Sequence, residues 1–337
     1  MKTLIRSFVL VPLIALAACA PDSPTGTARE IQGAAAVRSP STSAWSLALS
    51  AESGLAGAAP TFNTDALDGC PFIAPDGKTF FMASNRKGTL GGLDIWVSTR
   101  SSVDEPWSEP QNVGAPVNST SNDFCPTMSR DGHTLYFVSN RPGGCGGGDI
   151  YVARRRDDGG FETPENLGCD VNSAADEAGP FPVEEPGRGR VLYFSSTRPG
   201  GFSQEAAGAL KGDSDLYSSE WHGGAFGPAA LVPGVNTGAE EGQPNLRRDA
   251  LELFFYSNRP GALGGSTDIY SATRARASEP WSTAVNLGDK VNTQYPETRP
   301  SLSWDGGTLY FGSTRPTGES KSNDIYVTTR SSIFGAP

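Results

Sequence analysis

Helix-forming sequence is scarce in this chain. Beyond about residue 60 no long run of Leu, Ala, Glu and Lys recurs at helical period, and Met occurs only 3 times in 337 residues, which argues against a helical bundle. Histidine is nearly missing. With only His133 and His222 available, a His-rich metal site or a Ser-His-Asp triad has little material, and no Gly-x-Ser-x-Gly elbow occurs. Basic residues are outnumbered, 27 Lys plus Arg against 37 Asp plus Glu, so attraction to nucleic acid or to an anionic lipid surface is disfavoured. The apolar run from Phe8 to Ala18 is too short to span a bilayer. What the chain has in quantity is Gly (41) and Pro (26), the composition of a β protein rich in tight turns.

The amino end, "MKTLIRSFVLVPLIALAAC", carries Lys2 and Arg6, the apolar run, and then Leu16-Ala17-Ala18-Cys19. It resembles a bacterial lipoprotein signal. The resemblance implies that residues 1–18 are removed, that Cys19 bears the lipid, and that the chain is anchored on the periplasmic side of a bacterial membrane. Ala20, where an Asp would retain the protein at the inner membrane, leans toward the outer one. Residues 19–43 are rich in Pro, Ser, Ala and Gly, have hardly any large apolar side chain, and read as a disordered tether. Cys70, Cys125, Cys145 and Cys169 remain, an even number in an exported chain, and disulfides are expected. The first two each precede a Pro in consecutive repeats, and the other two lie in the Gly-rich loop of the second repeat and in the turn leaving it, so the expected pairs are Cys70 with Cys125 and Cys145 with Cys169.

One pattern returns five times: an Asn, an acid five residues on, and a Pro three further. The acids are Asp68, Asp123, Glu177, Glu241 and Glu297. An Asp turn at Asp76, Asp131, Asp249 or Asp305, lost in the third copy to "EEPGRGR", and an apolar strand follow, ending at Arg86, Arg141, Arg198, Arg259 or Arg315. A Gly-rich loop then leads to a strand opening with Asp94, Asp149, Asp215, Asp268 or Asp324, and an aromatic heads a fourth strand at Trp107, Phe161, Phe226 and Trp281. Four short strands per unit of about 55 residues is the period of a β-propeller blade. The expected fold is all-β: a five-bladed β-propeller of four-stranded blades over residues 44–337. The last unit stops at "SSIFGAP", with Phe334 at the place of Trp107. The segment "AWSLALSA", alternating at Trp45, Leu47 and Leu49, is therefore expected to supply the missing strand and close the ring.

The stretches "SRDGHTLYFVSNRPGG" and "GGDIYV" resemble the WD-like β-propeller repeats of the TolB family, over nearly all of residues 60–337. The resemblance implies the propeller. For function it implies a platform for proteins or an accessory module of the envelope, so the expectation is a non-enzymatic, lipid-anchored scaffold docking on an envelope or membrane protein, with no cofactor and no metal. The alternative is a carbohydrate-binding or glycoside-hydrolysing propeller using the channel mouth. In the repeated charges, each Arg is expected to lie between the motif acid and the third-strand Asp as a structural ion pair. Otherwise the five motif acids form a ring at the channel mouth for a cation or a basic group. Catalytic acids should break the repeat; Glu184, Glu185 and Glu205 in the irregular third unit do so. An insertion at residues 200–214 of that unit is a candidate contact loop.

Overall fold

The protein is described here from a computed structural model, covering residues 44–51, 62–202, 213–316 and 322–334. The signal sequence, Cys19, the tether, Glu205 and most of the insertion lie outside the described residues.

Five antiparallel sheets form five blades. Blade one holds β2 (Asp68–Ile73), β3 (Thr79–Ser84), β4 (Asp94–Thr99) and β5 (Gln111–Asn112); blade two holds β6 (Asp123–Met128), β7 (Thr134–Ser139), β8 (Asp149–Arg154) and β9 (Glu165–Asn166). Blade four holds β15 (Glu241–Leu246), β16 (Glu252–Ser257), β17 (Asp268–Thr273) and β18 (Val285–Asn286). In blade five, β19 (Glu297–Leu302), β20 (Thr308–Ser313) and β21 (Asp324–Thr329) are completed at the outer edge by β1 (Leu49–Ser50), which pairs antiparallel with β21. Blade three is longer in its inner strands, β10 (Glu177–Glu185), β11 (Gly189–Ser196) and β12 (Asp215–His222), and two dipeptide strands, β13 (Ala225–Phe226) and β14 (Ala230–Leu231), share its outer edge.

Second strands such as "TFFMAS" are continuous apolar runs because they are covered on both faces, one by each neighbouring blade; every residue of β3 is buried. The hairpin into it turns at Asp76, whose carboxylate accepts the Lys78 and Thr79 N–H groups at 2.7 and 3.0 Å, with Gly77 at φ 65°. The core lies between blades. Phe62, Phe80 and Trp107 of the first blade pack with Tyr310 and Ile325 of the fifth, and the Phe62 and Phe80 rings stack with centroids 4.7 Å apart.

The closing segment departs from the expected alternation. Trp45, Ala48 and Ala51 are buried, whereas Leu47 and Leu49 are 64% and 46% exposed. Only two residues pair as a strand, so a period of two has no length over which to act. Trp45 also takes the position that the sequence register suggested for Phe334. The Arg330 guanidinium stands 4.5 Å from the Trp45 centroid, as Arg100 stands 4.3 Å from Trp107 and Arg274 4.1 Å from Trp281. Phe334 instead lies against Arg248, 3.9 Å from ring to guanidinium.

Candidate functional site: the axial mouth

The repeated polar residues have separate structural tasks. Each motif Asn holds the third strand of the preceding blade: Asn118 accepts the Ile95 N–H at 2.9 Å and donates to its carbonyl at 2.8 Å, Asn172 does the same at Ile150, Asn236 at Leu216, Asn292 at Ile269, and Asn63 at Ile325 of the fifth blade. An otherwise open pair of backbone groups is thereby satisfied at every junction.

The motif acids are wholly buried and each meets the Arg of its own blade: Arg86 to Asp68 at 2.6 Å, Arg141 to Asp123 at 2.7 Å, Arg198 to Glu177 at 3.0 Å, Arg259 to Glu241 at 3.0 Å, and Arg315 to Glu297 at 2.9 Å. Each also accepts the N–H and hydroxyl of the Ser or Thr following the Asn, as Asp123 does from Ser119 at 2.6 and 2.7 Å. Asp68, Asp123, Glu177, Glu241 and Glu297 are therefore saturated inside the blades and present no open ring of charge to the channel. Burial pushes the Glu297 carboxyl up in spite of these donors.

Contrary to expectation, among the described residues these Arg form no ion pair with the third-strand Asp. Asp94 accepts the Leu90 N–H and the Asn112 amide, both at 2.7 Å; Asp149 is bonded by Asn166 at 2.9 Å, Asp215 by the Phe202 N–H at 2.7 Å, and Asp268 by Asn286 at 2.6 Å. The third-strand Asp, Asp324 included, is buried at the strand start. In the four blades with these bonds it ties down its own loop, because the backbone donors of a Gly-rich turn lie closer than the guanidinium. Both disulfides join the expected cysteines, Cys70 to Cys125 with Cα atoms 4.8 Å apart and Cys145 to Cys169 with Cα atoms 5.8 Å apart. Among the described residues no cluster of three or more His, Cys, Asp or Glu is arranged to hold a metal ion.

The position four residues after each motif Pro behaves differently. In blade order it carries Pro75, Arg130, Glu184, Arg248 and Trp304, with no two neighbours alike. All five line one depression at the end of the axis opposite the motif-bearing face, over an apolar floor that includes Phe72, Met128, Phe181, Leu246 and Leu302. Trp304 is partly exposed, with the Arg130 and Arg248 guanidinium groups 5.4 and 5.6 Å from its centroid. Glu184 is exposed and faces Arg190 at 3.2 Å. An adjoining cavity of about 300 Å³ is bounded by Ser129, Arg130, Asp131, Glu184 and Arg190. The Ser129 hydroxyl, 2.5 Å from Asp131, holds that carboxyl below the usual range, so Asp131 is ionised.

Of the two repeat-breaking acids among the described residues, Glu184 reaches this mouth and Glu185 does not. Glu185 is buried and accepts from the Tyr193 hydroxyl at 2.5 Å, Arg274 at 2.6 Å and Arg188 at 2.8 Å, a closed network with no group to spare. His133 is exposed in a turn, and His222 faces Glu220 at 3.2 Å. Sequence reasoning placed the site on the motif-bearing face and passed over Arg130, Asp131, Arg248 and Trp304 as site residues. The available signal was positional variation immediately before a constant acid, Asp76, Asp131, Glu185, Asp249 or Asp305.

Fold and mouth together define a five-bladed β-propeller with a charged, aromatic axial depression. Among solved structures it is similar to an endo-arabinase from Bacteroides thetaiotaomicron (16% identity, TM-score 0.52, 79% of this chain and 94% of that one). It is also similar to an α-L-arabinofuranosidase from Lactobacillus brevis (11% identity, TM-score 0.52, 79% and 90%). TolB from Acinetobacter baumannii aligns at 14% identity and TM-score 0.47 over 79% of this chain, which spans 55% of that protein's length. No protein-family profile and no curated protein matches the chain. At such identities the likeness is one of fold, but it corrects the expectation of a non-enzymatic docking scaffold. Glycoside hydrolases are among the solved structures that align above a TM-score of 0.5.

Proposed function

We propose that the chain is a carbohydrate-active propeller that binds a glycan in the axial depression and cleaves a glycosidic bond beside Glu184 and Asp131. The observation that carries this reading is the mouth itself, where a Trp face, two guanidinium groups and Glu184 stand at one varying position of the repeat, beside the recurring turn carboxylate Asp131. A sugar ring stacks on a partly exposed indole, and charged side chains around it orient the hydroxyl groups. Glycoside hydrolysis asks for two carboxyl groups flanking the scissile bond, one to give a proton and one to act ionised. Asp131, whose carboxyl Ser129 holds below the usual range, and Glu184, exposed on the rim, are the two carboxyl groups that border the adjoining cavity. The arabinan and xylan chemistry named for the similar hydrolases supplies the first substrates to try.

Reducing-end release and affinity electrophoresis on arabinan, xylan and a wider polysaccharide panel test the reading. Trp304→Ala should weaken glycan binding roughly fivefold, since stacking on an aromatic face contributes about 0.5–1.5 kcal/mol. Glu184→Gln should keep binding and reduce turnover about 10²–10⁴-fold, the range for loss of a general acid. A folded wild-type protein that neither binds nor cleaves any member of the panel overturns it.

A further inference from the structure

The opposite end of the axis holds a second departure from the repeat. The five inner strands approach one another at their third residues, Cys70, Cys125, Gly179, Gln243 and Arg299, all of which adopt left-handed backbone with φ between 46° and 58°. Each is followed by a Pro, so the wall beyond has no backbone N–H to offer. Two of the five, Cys70 and Cys125, are joined. The other side-chain-bearing pair, Gln243 and Arg299, faces the same small cavity of about 30 Å³, enough for a water-sized guest.

Neither side chain is satisfied. Arg299 has no ion pair and no hydrogen bond to any described residue, and its Nε is buried without a partner. The motif acids that could reach it are each committed to their own Arg. No carboxylate lines the cavity among the described residues. Gln243 is only 8% exposed; its amide nitrogen donates to the Cys125 sulfur at 3.3 Å, and its Oε1 has no partner. Sulfur is a weak acceptor, so turning the amide to present both of its N–H groups to the cavity forfeits little. Burial pushes the Arg299 guanidinium down, and the nearby Tyr256 phenol opposes this only in part. A half-buried guanidinium whose Nε has no partner is costly, and a guest of opposite sign reduces that cost.

We propose that this constriction is a binding site for one small monovalent anion, held by the Arg299 guanidinium and the Gln243 amide on the motif-bearing side of the axis. The cavity admits a halide or one end of a carboxylate and excludes anything bulkier. The site is separate from the glycan mouth and does not depend on it.

Thermal unfolding of the full chain decides the matter, at constant ionic strength and with one common cation. Chloride, bromide and formate are compared with gluconate, which is too large to enter. Wild-type protein should gain about 2–4 °C in a saturable manner with the small anions, as expected for a ligand that binds the folded state alone. Arg299→Gln should lose the dependence, and Arg299→Lys, which keeps the charge without the fork, should retain a weaker one. Response to halides but not formate identifies an inorganic ion. Response to formate as well identifies carboxylate chemistry, through which a larger ligand would be held, and either result supports the site. Bromide crystals should show an anomalous peak within hydrogen-bond distance of Arg299. An ordered water there instead, or the same anion dependence in wild type and Arg299→Gln, overturns the proposal.

Discussion

A single carboxylate shows how the turns of this propeller are held. Asp305 sits where β19 turns into β20 and accepts from the Ser303 hydroxyl at 2.5 Å, the Ser332 hydroxyl at 2.7 Å and the Gly307 N–H at 3.0 Å. Burial by itself would raise its carboxyl, but these donors outweigh burial and hold it below 3.8. Between the depressed folded value and 3.8 the unfolded chain binds more protons than the native one, so stability rises with pH across that window. The contribution is complete above 3.8 and is lost as pH falls through the folded value. Asp305→Asn should therefore lower stability by about 1–2 kcal/mol at pH 7, by loss of charge-assisted hydrogen bonds. In denaturant titrations from pH 7 downward, the gap between variant and wild type should persist to near pH 4 and narrow only below it. A gap constant to the lowest accessible pH would mean that shape, and not charge, is what the turn requires.

At the scale of the element, ring closure depends on one short segment. β1 contributes only two paired residues to β21, yet Trp45 is 7% exposed, meets Phe254 edge-on with centroids 6.1 Å apart, and stacks beneath Arg330, which in turn pairs with buried Glu252 at 2.7 Å. Trp45→Ala should cost about 3–5 kcal/mol, the range for removing a large buried aromatic, whereas Leu49→Ser, at an exposed site, should stay within about 0.5 kcal/mol. Equal losses in the unfolding midpoint would show that pairing, and not the Trp anchor, closes the ring. The closure was legible from the chain because the fifth unit lacks a fourth strand and a Trp-bearing segment was left over. The burial of that segment was not legible, since two paired residues carry no periodicity. The Asn-acid-Pro pattern likewise announced five blades, while the partners of its charges depended on which backbone donors a Gly-rich loop brings nearest Asp94 or Asp149. The axial mouth was hardest to read. Pro75, Arg130, Glu184, Arg248 and Trp304 share no chemistry, and only the fold brings them to one rim.

Across the whole molecule the covalent constraints are uneven, because both disulfides fall in the first two blades. Cys70–Cys125 encloses 55 residues of chain and ties the first two inner strands across the constriction; Cys145–Cys169 encloses 24 and fastens the Gly-rich loop of blade two to the turn that leaves it. Loop-closure entropy assigns them about 4 and about 3 kcal/mol respectively, acting chiefly on the unfolded chain. The first pair also belongs to the native packing, as Cys70 and Cys125 are each 5% exposed and form a cluster with Ala83 and Val138. Replacing each pair by Ala should lower the midpoint of guanidinium unfolding, more for Cys70–Cys125 than for Cys145–Cys169. The slope m should rise in both cases, because an unfolded chain released from a cross-link exposes more surface. A lower midpoint with unchanged m would place the effect in the native contacts instead. Blades three to five contain no cross-link among the described residues, so their hold on the ring rests on β1, on the motif Asn at each junction and on the apolar strands between blades. In native-state hydrogen exchange those blades should accordingly open no more readily in the disulfide variants than in the wild type, while β2 and β6 lose protection.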